Sequence, residues 1–145
     1  MRSNSRIIAT LAFAVALAPA ARALSQCGPG TVAGSYAYNF SGFISLSATQ
    51  VLPASAAGRI TFDGRGQVSG TQTRSVAGSA LDETYSGTYT VNPDCTGSFT
   101  VNVQPDTRVS TVKVEWANNT NDVYFVFTNP GFTLTGTGKR VSPRD

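Results

Sequence analysis

The sequence predicts an all-β domain: an antiparallel, eight-stranded up-and-down barrel, with a two-sheet sandwich as runner-up. Three observations carry that prediction. Apolar residues alternate with Thr, Ser and Asn along segment after segment, the period-two signature of a strand with one buried face. Turn residues punctuate these segments at short intervals, so consecutive strands pair as antiparallel neighbours. No amphipathic helical period occurs beyond the first 23 residues. Closure into a barrel is favoured because an open sheet would leave two edges unprotected.

Each element follows from its residues. Residues 34–47 form the first strand, with Tyr36, Tyr38, Phe40, Ile44 and Leu46 on one parity and Gly42 marking a bulge or bend. Residues 48–57, with Pro53 and mostly small side chains, read as a loop over one end. Residues 58–63 and 66–76 flank Asp63-Gly-Arg-Gly66, a hairpin turn in which glycines take positive φ. Residues 77–81 read as a second small-residue loop. Residues 83–92 and 95–104 form a hairpin about Asn92-Pro93-Asp94, where Pro fixes φ and Asn and Asp bond their own backbone. Tyr89 and Val91 alternate with threonines before that turn; Phe99, Val101 and Val103 alternate with polar residues after it. Pro105-Asp106 leads into residues 108–117. Asn118-Asn119-Thr120-Asn121 is a turn of residues that tolerate the left-handed region. Residues 122–128, the turn Asn129-Pro130-Gly131 and residues 132–140 complete eight strands. The polar tail, 141–145, is expected to fray.

The N-terminus reads as a secretory signal over residues 1–23, leaving one barrel domain over residues 24–145. Arg2 and Arg6 supply the positive start, residues 7–17 are apolar apart from Thr10, and Ala21-Arg22-Ala23 is a small-x-small cleavage site. The apolar run is shorter than the roughly 20 residues that span a bilayer. The expected location is therefore secreted or periplasmic. Charge follows from the same cut. The whole chain carries 11 basic and 8 acidic residues, but Arg2, Arg6 and Arg22 leave with the signal, so the mature domain has 8 of each. A net charge of zero supports neither nucleic-acid binding by counterion release nor a polybasic membrane contact. No stable membrane insertion is expected after signal removal. Only 13% of residues are charged; Ser and Thr solvate the surface instead.

Two cysteines in an exported chain favour one bridge, Cys27–Cys95, which would pin the N-terminus to the hairpin. The rival reading is lipidation at Cys27, although Gln26 stands where a lipobox needs a small residue. With two cysteines and no histidine, no metal site or other cofactor is expected. Asn39-Phe-Ser41 and Asn118-Asn-Thr120 are glycosylation sequons in a eukaryotic secretory route.

Gly34-Ser-Tyr36, Phe62-Asp-Gly-Arg-Gly-Gln-Val-Ser-Gly70 and Ser86-Gly-Thr-Tyr-Thr-Val-Asn-Pro-Asp-Cys-Thr-Gly97 carry a resemblance. They are similar to motifs of small, uncharacterised exported bacterial proteins with a calycin-like or allene-oxide-cyclase-like barrel. The resemblance covers most of residues 27–140 and rests on turn and cysteine positions, which specify a scaffold. For cyclase-like barrels it implies a cavity that takes hydrophobic ligands and steers cyclisation with few polar groups.

Absences narrow the chemistry. Without histidine there is no Ser-His-Asp or Cys-His hydrolytic arrangement, and no phosphate-binding Gly-x-x-x-x-Gly-Lys-Ser/Thr loop occurs. Asp63, Asp94, Asp106 and Asp122 lie in or beside turns, where Asp is expected for backbone reasons. Asp82 and Glu83 are adjacent, so on a strand they point to opposite faces. Glu115 sits mid-strand and shares a parity with Lys113, opposite to Val112, Val114 and Trp116. Either Lys113 and Glu115 solvate the outer wall, or they face a cavity as an acid/base pair; they are the only catalytic candidates. Tyr36, Tyr38, Tyr85, Tyr89, Trp116 and Phe125 are the candidate ligand-binding set, with Tyr124 on the opposite side from Phe125. If their faces converge, they either fill a narrow barrel themselves or line an apolar cavity with hydroxyls to orient a ligand. The expected function is binding of a small apolar ligand, or a structural role, with a cavity-type cyclase or isomerase as the alternative.

Overall fold

A computed structural model describes residues 26–141. The expected signal at residues 1–23 and the tail 142–145 lie outside the described residues. The chain forms one helical turn, α1 (Pro29–Val32), then β1 (Gly34–Ser47), β2 (Gln50–Phe62), β3 (Gln67–Val76), β4 (Ser79–Val91), β5 (Thr96–Gln104), β6 (Arg108–Ala117), β7 (Asp122–Phe127) and β8 (Phe132–Arg140). Each strand pairs antiparallel with the next, and β8 returns to β1 from Tyr36↔Arg140 to Ile44↔Phe132, closing an eight-stranded up-and-down barrel. Closure leaves no sheet edge to be protected.

Alternation builds the wall. On β6, Ser110, Val112, Val114 and Trp116 are buried, while Val109, Lys113 and Glu115 are exposed. The same parity buries Tyr36 and Phe40 on β1 and Tyr85 and Tyr89 on β4.

The strand limits differ from expectation in two places. Residues 48–57 are not a loop: β2 begins at Gln50 and pairs with β1 through Phe43↔Pro53. Pro53 fits because its carbonyl accepts from the Ala77 amide (2.9 Å), so its missing N–H falls on the β3 side, just where the β2–β3 ladder ends at Ala54↔Val76. Small residues are used here as wall: Ala54 and Ala56 are buried against Phe40 and Leu134. Likewise residues 77–81 are mostly strand, since a tight turn at Ala77-Gly78, both at positive φ, lets β4 start at Ser79. Nor does Gly42 carry a bulge. The β1–β2 register runs through it and shifts between Ser45 and Ser47.

The two ends of the barrel differ. Turns at Asp63–Gly66, Asn92–Cys95 and Asn118–Asn121 share one end with α1, and that end is sealed. Cys27 is bonded to Cys95 with Cα atoms 5.0 Å apart, and the Cys27 amide donates to the Pro93 carbonyl (3.1 Å). Across 68 residues, such a link stabilises by about 4 kcal/mol on the chain-entropy account. Val32 is fully buried beneath the turn, the Thr120 hydroxyl donates to the Thr31 carbonyl (2.8 Å), and the Tyr89 hydroxyl donates to the Pro29 carbonyl (3.2 Å). Arg140 donates to the carbonyls of Ala33 and Thr120 and to the Tyr36 hydroxyl, and its guanidinium lies 4.7 Å above the Tyr36 ring centroid. Above this seal Phe62 is ringed edge-on by Tyr89 (4.9 Å), Trp116 (5.4 Å), Tyr36 (5.7 Å) and Phe99 (6.1 Å). Each such pair adds about 0.5–1.5 kcal/mol beyond burial. This half of the barrel is solid.

Candidate functional site

The other half is hollow. A cavity of about 340 Å³ runs from a floor of Ile60, Phe62, Phe99 and Val123 to a mouth at Leu46, Leu52, Asp106 and Phe132. That volume lies near the lower bound of small-ligand pockets, roughly 300–1,000 Å³. Its wall over β7 and β8 is apolar, built from Phe125, Phe127, Phe132 and Leu134. Glycines let two aromatic rings lie flat against the wall. Gly136 faces Phe125 across the β7–β8 ladder, and a Cβ there would sit 2.3 Å from the ring; Gly70 stands in the same relation to Tyr85, at 2.4 Å.

Across the lumen, β1, β3, β4 and β6 contribute one continuous polar network. Glu83 is its centre, with its side chain fully buried. Arg108 grips that carboxylate as a fork, Nη1 on Oε1 at 2.7 Å and Nη2 on Oε2 at 2.6 Å. Arg74 Nε donates to Oε1 (2.8 Å) and Gln72 Nε2 to Oε2 (2.6 Å). The network then descends the wall: the Tyr38 hydroxyl donates to Gln72 Oε1 (2.6 Å), and the Tyr85 hydroxyl lies 3.0 Å from that of Tyr38 and 3.1 Å from the Arg59 carbonyl. Toward the mouth, Arg74 Nη2 and Arg108 Nη1 both donate to Asp106 Oδ2 at 2.8 Å. Two guanidiniums against two carboxylates make the cluster neutral.

Protonation follows from these contacts. Burial pushes the Glu83 carboxyl up, but hydrogen bonds from Arg108, Arg74 and Gln72 and the Arg108 charge together outweigh it and hold the group at about 2. It stays ionised. Burial raises both Tyr38 and Tyr85 well above an ordinary phenol, reinforced by the Glu83 charge for Tyr38 and by Tyr38 itself for Tyr85. Both hydroxyls stay protonated and serve as donors.

The six tyrosine, tryptophan and phenylalanine residues expected to bind ligand divide between the two halves. Tyr38, Tyr85 and Phe125 line the cavity. Tyr36, Tyr89 and Trp116 do not: they pack in the solid half around Phe62. Lys113 and Glu115 are exposed on the outer wall, where they border a shallow groove with Tyr124 and Thr137, so the cavity holds neither catalytic candidate. Their parity is opposite to that of the buried Val112, Val114 and Trp116.

Gln72, Arg74, Glu83 and Arg108 were not singled out by residue type, yet a signal existed. Glu83 shares its parity with Tyr85 and Tyr89, Gln72 and Arg74 share theirs with Val68, and Arg108 with Val112 and Trp116. Charged residues in register with a buried face need partners, and here they partner one another. Asp82, facing outward, bonds Thr73 instead (2.7 Å). Comparison with family models, with curated proteins and with solved structures returned no match to this chain.

Proposed function

We propose that this protein is an exported binding protein for one small, mainly apolar ligand held in the open half of the barrel. The observation that carries the reading is the hollow itself: about 340 Å³ of lumen, walled by aromatic and aliphatic side chains and crossed by a single hydrogen-bonded network. Apolar burial supplies affinity in such a site, and a few fixed polar groups supply orientation. Export is supported by the signal pattern of residues 1–23 and by the Cys27–Cys95 bridge, which suits an oxidising compartment. No helix among the described residues is long and apolar enough to cross a membrane. Outward positions on β3 and β8, such as Thr71, Thr73, Thr135 and Thr137, carry no apolar band of the kind a lipid-facing barrel needs.

The cyclase or isomerase reading draws its support from the same cavity, now with Glu83, Tyr38 and Tyr85 as its polar groups. Glu83 suits proton transfer poorly. A carboxylate held at about 2 is a weak base and, at neutral pH, has no proton to give. Binding is therefore preferred over turnover.

Native mass spectrometry of the protein purified from its own host, paired with titration by the neutral dye N-phenyl-1-naphthylamine, tests the proposal. One low-mass apolar adduct per chain, or a saturable fluorescence rise with one dye per chain, is expected. A bare mass with no dye uptake would leave only a structural role.

A further inference from the structure

We infer that the ligand carries a single anionic oxygen group on its apolar body, and that this head displaces Asp106 from Arg74 and Arg108 at the cavity mouth. The inference rests on the lumen-binding reading and adds the ligand's chemistry to it.

The two carboxylates that neutralise the arginines are not equivalent. Glu83 has no exposed side-chain surface and accepts through both oxygens, from Gln72 and both arginines. It cannot leave without stranding two guanidiniums. Asp106 sits in the β5–β6 turn with its side chain 42% exposed, and it reaches both arginines through Oδ2 alone. Asp106 regains water at little rearrangement when it swings out, whereas Glu83 has no route to solvent. Asp106 is thus the exchangeable member, and its carboxylate marks where an incoming oxyanion would sit.

The arginines remain reachable from solvent, with 16% of the Arg74 side chain and 23% of the Arg108 side chain exposed, and both line the cavity. Glu83 balances only one of their two charges. With Asp106 swung aside, the mouth holds one net positive charge directly above an apolar lumen. While Glu83 keeps its own contacts, Arg74 Nη2 and Arg108 Nη1, which now converge on Asp106 Oδ2, would then be left as two charged donors for one incoming oxyanion. An apolar body filling the lumen would fix its head beside them, where part of the water is already excluded and the pairing is correspondingly stronger. A neutral or cationic head would gain nothing by displacing Asp106.

Decanoate and decanol, matched in chain and differing in head charge, provide the test by displacement of N-phenyl-1-naphthylamine from the full mature chain. Decanoate is expected to compete at least 10-fold better than decanol at low salt. Asp106→Asn, at an exposed turn position, should widen the decanoate-to-decanol ratio several-fold, because the resident competitor is gone. Arg108→Lys, which keeps the charge against Glu83 but loses the fork, should narrow it. Equal competition by the two probes, or a ratio unmoved by Asp106→Asn, overturns the anionic head while leaving lumen binding intact. Failure of the dye and both probes to bind removes the lumen reading, and this inference falls with it.

Discussion

The sealed half and the hollow half of this barrel are made from the same alternation, yet they spend their aromatic residues differently. At the sealed end Tyr36, Tyr89, Phe99 and Trp116 converge on Phe62 from four strands, and the Cys27–Cys95 link and α1 close the space above solvent. At the open end Tyr38, Tyr85, Phe125 and Phe127 lie against the wall around a void. Of the exposed large apolar residues, Leu46, Val51, Leu81 and Val109 stand at strand ends around the mouth, whereas Phe43, Tyr124 and Val126 lie on the outer wall and Val141 at the sealed end. Rings of the sealed half converge on one central ring and fill the space; those of the open half contact one another along the wall, Phe40 with Phe127 (4.8 Å) and Tyr38 with Phe125 (5.8 Å), and leave the lumen open.

The sharpest way to break that comparison is to truncate one ring from each half. Phe62→Ala removes the hub of four edge-on contacts in close-packed surroundings, and a loss of about 3–5 kcal/mol is expected. Phe127→Ala removes a half-buried ring that borders the lumen and meets Phe40 (4.8 Å), Phe125 (6.1 Å) and Phe132 (6.3 Å), so a loss smaller than that of Phe62→Ala is expected, with a larger lumen in return. Urea unfolding followed by far-ultraviolet circular dichroism measures both. Equal losses would mean that the two halves are packed alike.

Acid bears most on the hollow half, where the carboxylate with a fully buried side chain lies. Glu83 is bound by two arginines when folded and has an ordinary carboxyl value of 4.5 when unfolded, against about 2 in the native barrel. Its contribution is present in full above about 4.5 and is lost as pH falls toward 2, because the unfolded chain then takes up the proton that the native state refuses. The loss is on the order of 2–3 kcal/mol by linkage. Asp63 and Asp94, lowered chiefly by backbone hydrogen bonds from Arg65 and by the Thr96 side chain respectively, act in the same direction. In Glu83→Gln the thermal midpoint should vary less with pH between 4.5 and 2, from a lower starting value, since one counter-charge to two arginines is gone. An unchanged pH profile would mean that the network carries no linked stability.

Much of this architecture is legible one strand at a time. β1, β6 and β8 begin and end where alternation and turn residues place them, and parity alone turns Tyr36, Tyr38, Tyr85, Tyr89, Trp116 and Phe125 inward without separating the three that line the cavity from the three that fill the core. Two physical facts hid the rest. First, a run such as Ala54-Ser-Ala56 lacks the bulky residues that announce a strand, although small side chains are what Phe40 and Leu134 require opposite them. Second, which half of a barrel fills depends on register between strands distant in sequence. Tyr36 and Tyr38 are two residues apart on one face, yet one seals the floor and the other lines the void. The same non-local register assembles Glu83, Arg74 and Arg108, each unremarkable alone and mutually satisfied only after closure.

The smallest effect belongs to the outer wall. Lys113 pairs across to Ser98 and Val126, and Glu115 to Thr96 and Tyr124, all at outward positions. Both charged side chains are exposed to solvent. Surface substitutions of this kind usually fall within about 0.5 kcal/mol. Lys113→Ala and Glu115→Gln should therefore leave the unfolding midpoint and dye affinity at their starting values, singly or together. A tenfold loss of dye affinity in either variant would place the binding surface outside the barrel, in the groove that Tyr124 and Thr137 border, and would reverse the assignment of function to the lumen.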